Sequence, residues 1–309
     1  MLAELAEMTR LFLIFSWHMS CLGPLGTHGI REQVFYLTSR RKTMKKTILA
    51  GALLSALGPH HGLAAADDAA SKPDNEVTFK AGILSDYRYR GVTQSRFKPS
   101  YTAGVDYVNN PSGIFLGATG YTIKWIEDGG ATDGNLEIDV YGGKRGELAP
   151  GWQYEVGGLY YWYPKNTYAD AVTCTPAALY CTSNANTFEL NGKIGTGPYY
   201  FQYSHSLTDL FGWKGSSNSA YYDFGADFPL ADGYVLNAHV GYQKVANLSA
   251  ANFTDYRLGV TKDFGFVIAS AAYVAADTDK AYYVTPAARK PADKNTGAGG
   301  LVVSLIKTF

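Results

Sequence analysis

Beyond residue 66 no stretch is apolar for the roughly 20 residues that a membrane-crossing helix requires. Any passage of this part through a bilayer must therefore be made by strands closed on themselves, the other arrangement that satisfies every backbone group in lipid. Cysteine is scarce as well: Cys21 falls in the leading segment, which leaves only Cys174 and Cys181. An even pair this close in an exported chain predicts a disulfide closing a small loop, against the plainer alternative of two free thiols. No histidine stands between them, so a metal site there is not expected. An excess of basic charge is missing too. The chain holds 27 basic and 27 acidic residues; residues 1–66 take seven and three of them, leaving 20 against 24. A mildly acidic chain is a poor partner for nucleic acid. No Gly-rich phosphate loop, nucleophile elbow or cluster of metal ligands is present, so no cofactor, metal or enzymatic activity is expected.

What is present begins with an address. Arg40, Arg41, Lys42, Lys45 and Lys46 form a basic patch, Ile48–Leu57 is a short apolar run, and Ala64-Ala65-Ala66 precedes Asp67. Basic region, apolar region and small-residue cleavage site are the parts of a secretory signal peptide, and the run is too short to span a bilayer. The rival, a buried core helix, does not explain the order of the three parts. The expected organisation is an upstream extension over 1–43 that reflects a start assigned too early, with a real extension carrying its own short anchor as the rival, then a signal peptide over 44–66, a short periplasmic segment over 67–75, and a barrel over 76–309.

The remainder alternates. Stretches of about ten residues place apolar and aromatic side chains on one face and polar ones on the other, the pattern of barrel strands. The first is read from Glu76 to Tyr89, with Val77, Phe79, Ala81, Ile83, Tyr87 and Tyr89 outward; the third has Phe115, Thr119, Tyr121 and Ile123 outward. Twelve such stretches are predicted, an all-β transmembrane antiparallel up-and-down barrel with both termini periplasmic. Abundant tyrosine, 24 residues, suits the aromatic girdles of such a barrel. Connections alternate as that topology requires. Asn109–Gly113, Lys144–Gly151, Gly195–Pro198, Pro229–Gly233 and Asp263–Gly265 are short, and the six between them are longer. A soluble β-sandwich also has short alternating strands, but it gives no reason for this regularity. The last residues, Leu301, Val303, Leu305, Lys307 and Phe309 in twos, resemble the C-terminal signal that barrel-assembly machinery recognises, with Lys307 departing from the usual apolar residue.

The run Ser85-Asp86-Tyr87-Arg88-Tyr89-Arg90-Gly91-Val92-Thr93-Gln94-Ser95 resembles the N-terminal signature of the TorF-type putative porins, a family of proteobacterial outer-membrane proteins. Thr93 stands where serine is commoner. The resemblance spans most of the chain after the leader and implies a Gram-negative outer-membrane barrel, with little implied about substrate.

Charges on the polar faces are the functional lead. Lys80, Arg88, Arg90, Lys124, Lys193 and Arg257 oppose Asp106, Glu137, Asp139, Glu155, Glu189, Asp223, Asp227 and Asp255. Rings of charge in a confined channel set ion selectivity. The expectation is a porin-like conduit for small solutes or ions, at most weakly cation-selective, that sits in outer-membrane lipid. The bland alternative is that these side chains pair across a narrow lumen and fill it, giving a closed structural or surface-binding barrel that works through its external loops. A lipid hydrolase would need Ser, His and an orienting group together at the rim. Ser204-His205-Ser206 offers only a serine–histidine neighbour pair whose side chains point to opposite faces.

Overall fold

Period-two alternation underlies this architecture: each strand has one apolar and one polar face, and closing the strands into a barrel turns the apolar faces outward and the polar faces to the interior. The computed structural model describes residues 73–309. The expected leader, signal peptide and most of the 67–75 segment lie outside the described residues. The strands are β1 (Asn75–Leu84), β2 (Arg88–Tyr89), β3 (Val92–Thr93), β4 (Ser100–Asn109), β5 (Ile114–Thr122), β6 (Leu136–Ala149), β7 (Trp152–Trp162), β8 (Thr187–Thr196), β9 (Tyr199–Ser206), β10 (Ala220–Pro229), β11 (Tyr234–Lys244), β12 (Phe253–Asp263), β13 (Ile268–Ala276) and β14 (Gly300–Thr308). All but β2 and β3 form the wall, a closed barrel of 12 strands in which each pairs antiparallel with its neighbours. The seam is β1 against β14, with Lys80 opposite Thr308 and Leu84 opposite Ser304. Phe309 extends it, donating its N–H to Phe79 O (2.8 Å) and accepting from Phe79 N–H (3.3 Å).

Wall strands of 8 to 14 residues suit the 9–11 or so that cross a bilayer at a tilt. The outer face is the apolar surface that lipid covers. Phe79 is 56% exposed, Leu258 57% and Leu301 69%. Aromatic residues gather toward both ends: Trp152, Tyr199, Tyr234 and Phe309 at the short-turn end, Tyr101, Trp162, Tyr222 and Tyr242 toward the other. These are the two headgroup-level belts of a barrel in a bilayer. The connections after β4, β6, β8, β10 and β12 are short, and both ends of the barrel chain emerge on their side. The connections after β1, β5, β7, β9, β11 and β13 are long and cluster at the opposite mouth. They carry a short helix, α1 (Trp125–Asp128), and a disulfide between Cys174 and Cys181.

Three readings need correction. β1 stops at Leu84, not Tyr89; Tyr87 and Tyr89 leave the wall and are buried inside the barrel. The parity of β5 is inverted, since Phe115, Thr119, Tyr121 and Ile123 are buried inside while Ile114 and Leu116 face outward. Ile114, Phe115 and Leu116 are all apolar, so alternation alone could not say which face was which. Third, β6 runs on to Ala149 through a register shift between Glu147 and Ala149, so the connection to β7 is shorter than the sequence suggested.

Candidate functional site

The segment that leaves β1 builds a second small sheet within the lumen. Arg88 and Tyr89 pair with Thr93 and Val92 around a two-residue turn. The turn residues Arg90 (φ 46°) and Gly91 (φ 77°) both have positive φ, the backbone of the tight hairpin turn that follows the right-handed twist of its strands. Asp86 is its organising acceptor, taking hydrogen bonds from Arg88 Nε, Thr93 Oγ1 and Ser95 Oγ. Gln94 N–H donates to Tyr87 O at 2.7 Å, and Tyr87 N–H donates to Ser95 Oγ at 2.9 Å. The run that resembles the porin signature is thus the sequence of a self-contained hairpin.

The hairpin crosses the lumen and touches most of its wall. Tyr87 stacks on Tyr121 of β5 and donates its hydroxyl to Glu137 of β6. Tyr89 bonds Tyr161 of β7. Arg90 grips Glu189 of β8 through two parallel bonds (3.0 and 2.7 Å), donates to Gln243 Oε1 of β11 (2.7 Å), and lies 4.2 Å over the Tyr221 ring of β10. Bidentate geometry of this kind is the strong form of the ion pair. At the tip a Cβ on Gly91 would lie 2.6 Å from Asp255 Cβ of β12 and 2.7 Å from Ala275 O of β13. The root is tied to the β13–β14 side: Ser85 N–H donates to Val303 O (2.8 Å), Thr93 N–H to Thr296 O (3.0 Å) and Arg88 to Ala298 O (3.0 Å).

Around it stand most of the charged residues that the sequence places on the polar faces. Lys80 pairs with Asp106 at 3.0 Å. Asp223 and Asp255 flank His239, each at 2.9 Å. Glu155 stands in register between Arg145 on one side and Lys193 on the other. Lys193 also lies 4.0 Å over the Tyr200 ring. Asn237 donates to Asp227, and Arg257 faces His239 across the strand pair. Arg88 and Arg90 belong to the hairpin rather than the wall, holding Asp86 and Glu189. Asp139 is buried, and its two carboxylate oxygens make no protein hydrogen bond. Lys124 lies elsewhere, half-exposed at the start of α1 and paired with Glu127 at 3.3 Å. Most of these charges are thus paired or stacked inside, with the hairpin between them.

Above the hairpin, at the long-connection mouth, is a cavity of about 350 Å³. Its floor is Tyr89, Arg90, Glu137 and Gln243, and its walls come from the long connections. Tyr180 stacks on Trp213 with centroids 5.7 Å apart, and Tyr282 lies 6.0 and 6.1 Å from those two rings. Phe211 joins the mouth to the hairpin by edge contacts with Tyr89 and Tyr161. Arg96 binds Asp128 through two nitrogens, and that bond raises its already high pKa. Burial raises the phenol pKa of Tyr168, Tyr180 and Tyr283, so these rings stay neutral hydroxyl donors.

Sequence reasoning missed the roles of Asp86, Tyr87, Tyr89, Gln243 and the Tyr180–Trp213 pair. The available signal was a glycine in second place of a two-residue turn, flanked by alternating residues and bracketed by Asp86 and Ser95. Ser204 and Ser206 point inward, while His205 points outward and bonds Tyr203 and Asn218. The Ser-His-Ser run assembles no catalytic array.

Residues 67–309 match a family described as a bacterial protein of unknown function (Gcw_chp). No curated protein matches the chain. Among solved structures it is similar to the KdgM porin (7% identity, TM-score 0.44, 75% of this chain and 98% of that one covered). It is similar also to the NanC porin (10%, 0.44, 76% and 99%) and to LpxR from Salmonella typhimurium (12%, 0.37, 75% and 99%). At these values the likenesses add nothing to what the strands themselves show.

Proposed function

Since the chain belongs to the Gcw_chp family of bacterial proteins of unknown function, we propose that it is an outer-membrane, porin-like barrel for small solutes whose conduit is closed at rest by the Ser85–Ser95 hairpin. On this reading residues 44–66 are a Sec-type signal peptide, the short-turn end faces the periplasm, and barrel-assembly machinery reads Phe309. The resemblance to TorF-type porins agrees with it.

One observation carries the reading: the lumen is filled by a separate element and not by the wall alone. A barrel meant only as a solid body could be filled by inward side chains. Here the closing piece holds its own shape through Asp86. It meets the wall through the buried rings of Tyr87 and Tyr89 and through ionic and hydroxyl contacts; water can replace the ionic and hydroxyl contacts when the piece moves, because such groups lose less on hydration than packed apolar surface does. What it would leave is a hydrophilic passage with acidic groups slightly in excess, hence a weak cation preference. The test is planar-bilayer conductance of the purified barrel beside a variant in which Asp86–Ser95 is replaced by a glycine–serine linker of equal length. The intact barrel is expected to be nearly silent and the variant to pass steady, mildly cation-selective current. A linker variant that is folded yet silent would leave the closed, surface-binding barrel as the reading, which the mouth cavity favours.

A further inference from the structure

We infer that the mouth cavity is a binding site for an uncharged saccharide of one or two rings. Its lining is unusual in kind. Eleven of its 26 lining residues are aromatic, and seven of those are tyrosine. A pyranose offers a flat C–H face to an aromatic ring and a rim of hydroxyls to polar groups in its plane. The Tyr180, Trp213 and Tyr282 rings supply the faces. The phenol oxygens of Tyr180 and Tyr282 make no hydrogen bond within the described residues, so they are free to meet that rim. At about 350 Å³ the space lies at the small end of ligand pockets, roughly 300–1,000 Å³.

Charge argues for a neutral guest. The ionisable lining groups are Arg90, Arg96, Asp128 and Glu137, two of each sign. Each is already engaged: Arg96 with Asp128, Arg90 with Glu189, and Glu137 with the Tyr87 hydroxyl. An ionic ligand would have to break one of these pairs and strand its partner. A hydrocarbon would fit the rings but leave the phenols without partners as it excluded water.

The site is also held in shape before anything binds. Tyr180 immediately precedes Cys181, which is bonded to Cys174. Cys181 O accepts from Lys214 N–H at 3.0 Å, and Thr182 bridges to Trp213. The small disulfide loop therefore fixes one ring over the other, and a fixed platform avoids the ordering cost of binding.

The proposal takes from the reading above only that this mouth opens to solvent, and its test needs no current, so the two can fail separately. The full barrel, purified in an amine-oxide detergent without sugar headgroups, is titrated by intrinsic tryptophan emission with maltose, cellobiose and lactose, and with galacturonic acid and p-cresol. A saturable, salt-insensitive change with at least one neutral disaccharide is expected. Trp213→Ala should weaken it by about tenfold or more, the worth of a lost ring stack. Tyr180→Phe, which keeps the ring, should weaken it less, and Trp162→Phe on the lipid face should leave it unchanged. Heat-modifiable gel migration confirms folding of each variant, and calorimetric titration checks the affinity. Absence of saturation with all three disaccharides overturns the proposal, as does tighter, salt-sensitive binding of galacturonic acid or binding of p-cresol alone.

Discussion

Arg90 is buried on a hairpin tip with a carboxylate, an amide and two aromatic rings as its company. Arg90→Met would leave Glu189 as a buried charge without its counterion, which costs about 3–5 kcal/mol. The double variant Arg90→Met with Glu189→Gln should recover most of that loss in urea unfolding. An equal loss in both would mean the pair contributes little. Asp139 behaves in the opposite sense, because its oxygens make no protein hydrogen bond while fully inside. Asp139→Leu replaces a buried carboxyl that has no protein hydrogen bond by an apolar group of similar size and is expected to raise stability by roughly 1–3 kcal/mol, read by the same unfolding curves. At this scale the sequence was legible wherever one face was plainly polar, as in Glu137, Asp139 and Tyr141, all three of which point inward. It was not legible at Phe115, where the apolar neighbours Ile114 and Leu116 hide which face is inward, or at Tyr87, where the alternation holds but the element it belongs to differs.

The hairpin shows why an element can hide. Past Ser85 and Asp86, Tyr87, Arg88, Tyr89 and Arg90 resume the alternation of β1 in the same phase, so periodicity alone extends the strand to Tyr89. Its true end is set by the Asp86 cluster and by the turn that Gly91 allows. Gly91→Val is expected to unseat the tip, because the position has φ 77° and its Cβ would meet Asp255 and Ala275 well inside contact distance. The backbone strain alone is on the order of 1–3 kcal/mol. Conductance should move toward that of the linker-replaced barrel, with far-UV circular dichroism unchanged. Silence with an intact wall would show that the tip tolerates the side chain. Gly241 plays a supporting part: a Cβ there would fall 1.9 Å from the Tyr221 hydroxyl, which bonds Asp255 beneath Arg90.

For the whole molecule, the number of wall strands and the rhythm of their connections were legible, while the facing of β5 and the ends of β1 and β6 were not. Twelve alternating segments and the short-then-long rhythm of connections point to a closed barrel, and the exposed Phe79, Leu258 and Leu301 belong to the apolar outer face such a barrel turns to lipid. What fills the barrel was not legible, since it depends on where one long connection goes in three dimensions. The lipid face makes its own prediction. Leu258→Arg, near the middle of β12, should destabilise the protein by about 2–4 kcal/mol in vesicles. The same change at an exposed position in a long connection, such as Leu207, should have little effect. Equal effects at both would argue against a bilayer at the barrel's waist.

The seam adds a question of timing. The strand that carries the hairpin is also the one that the final strand must find, and Phe309 completes the pairing with Phe79. Without β14 in place, β1 is an open edge and the segment after it has no closed chamber around it. Closing the cylinder and enclosing the hairpin are thus the same event. A chain shortened by β14 would lose both at once: a ragged, adhesive border where the wall should meet itself, and an interior with no door.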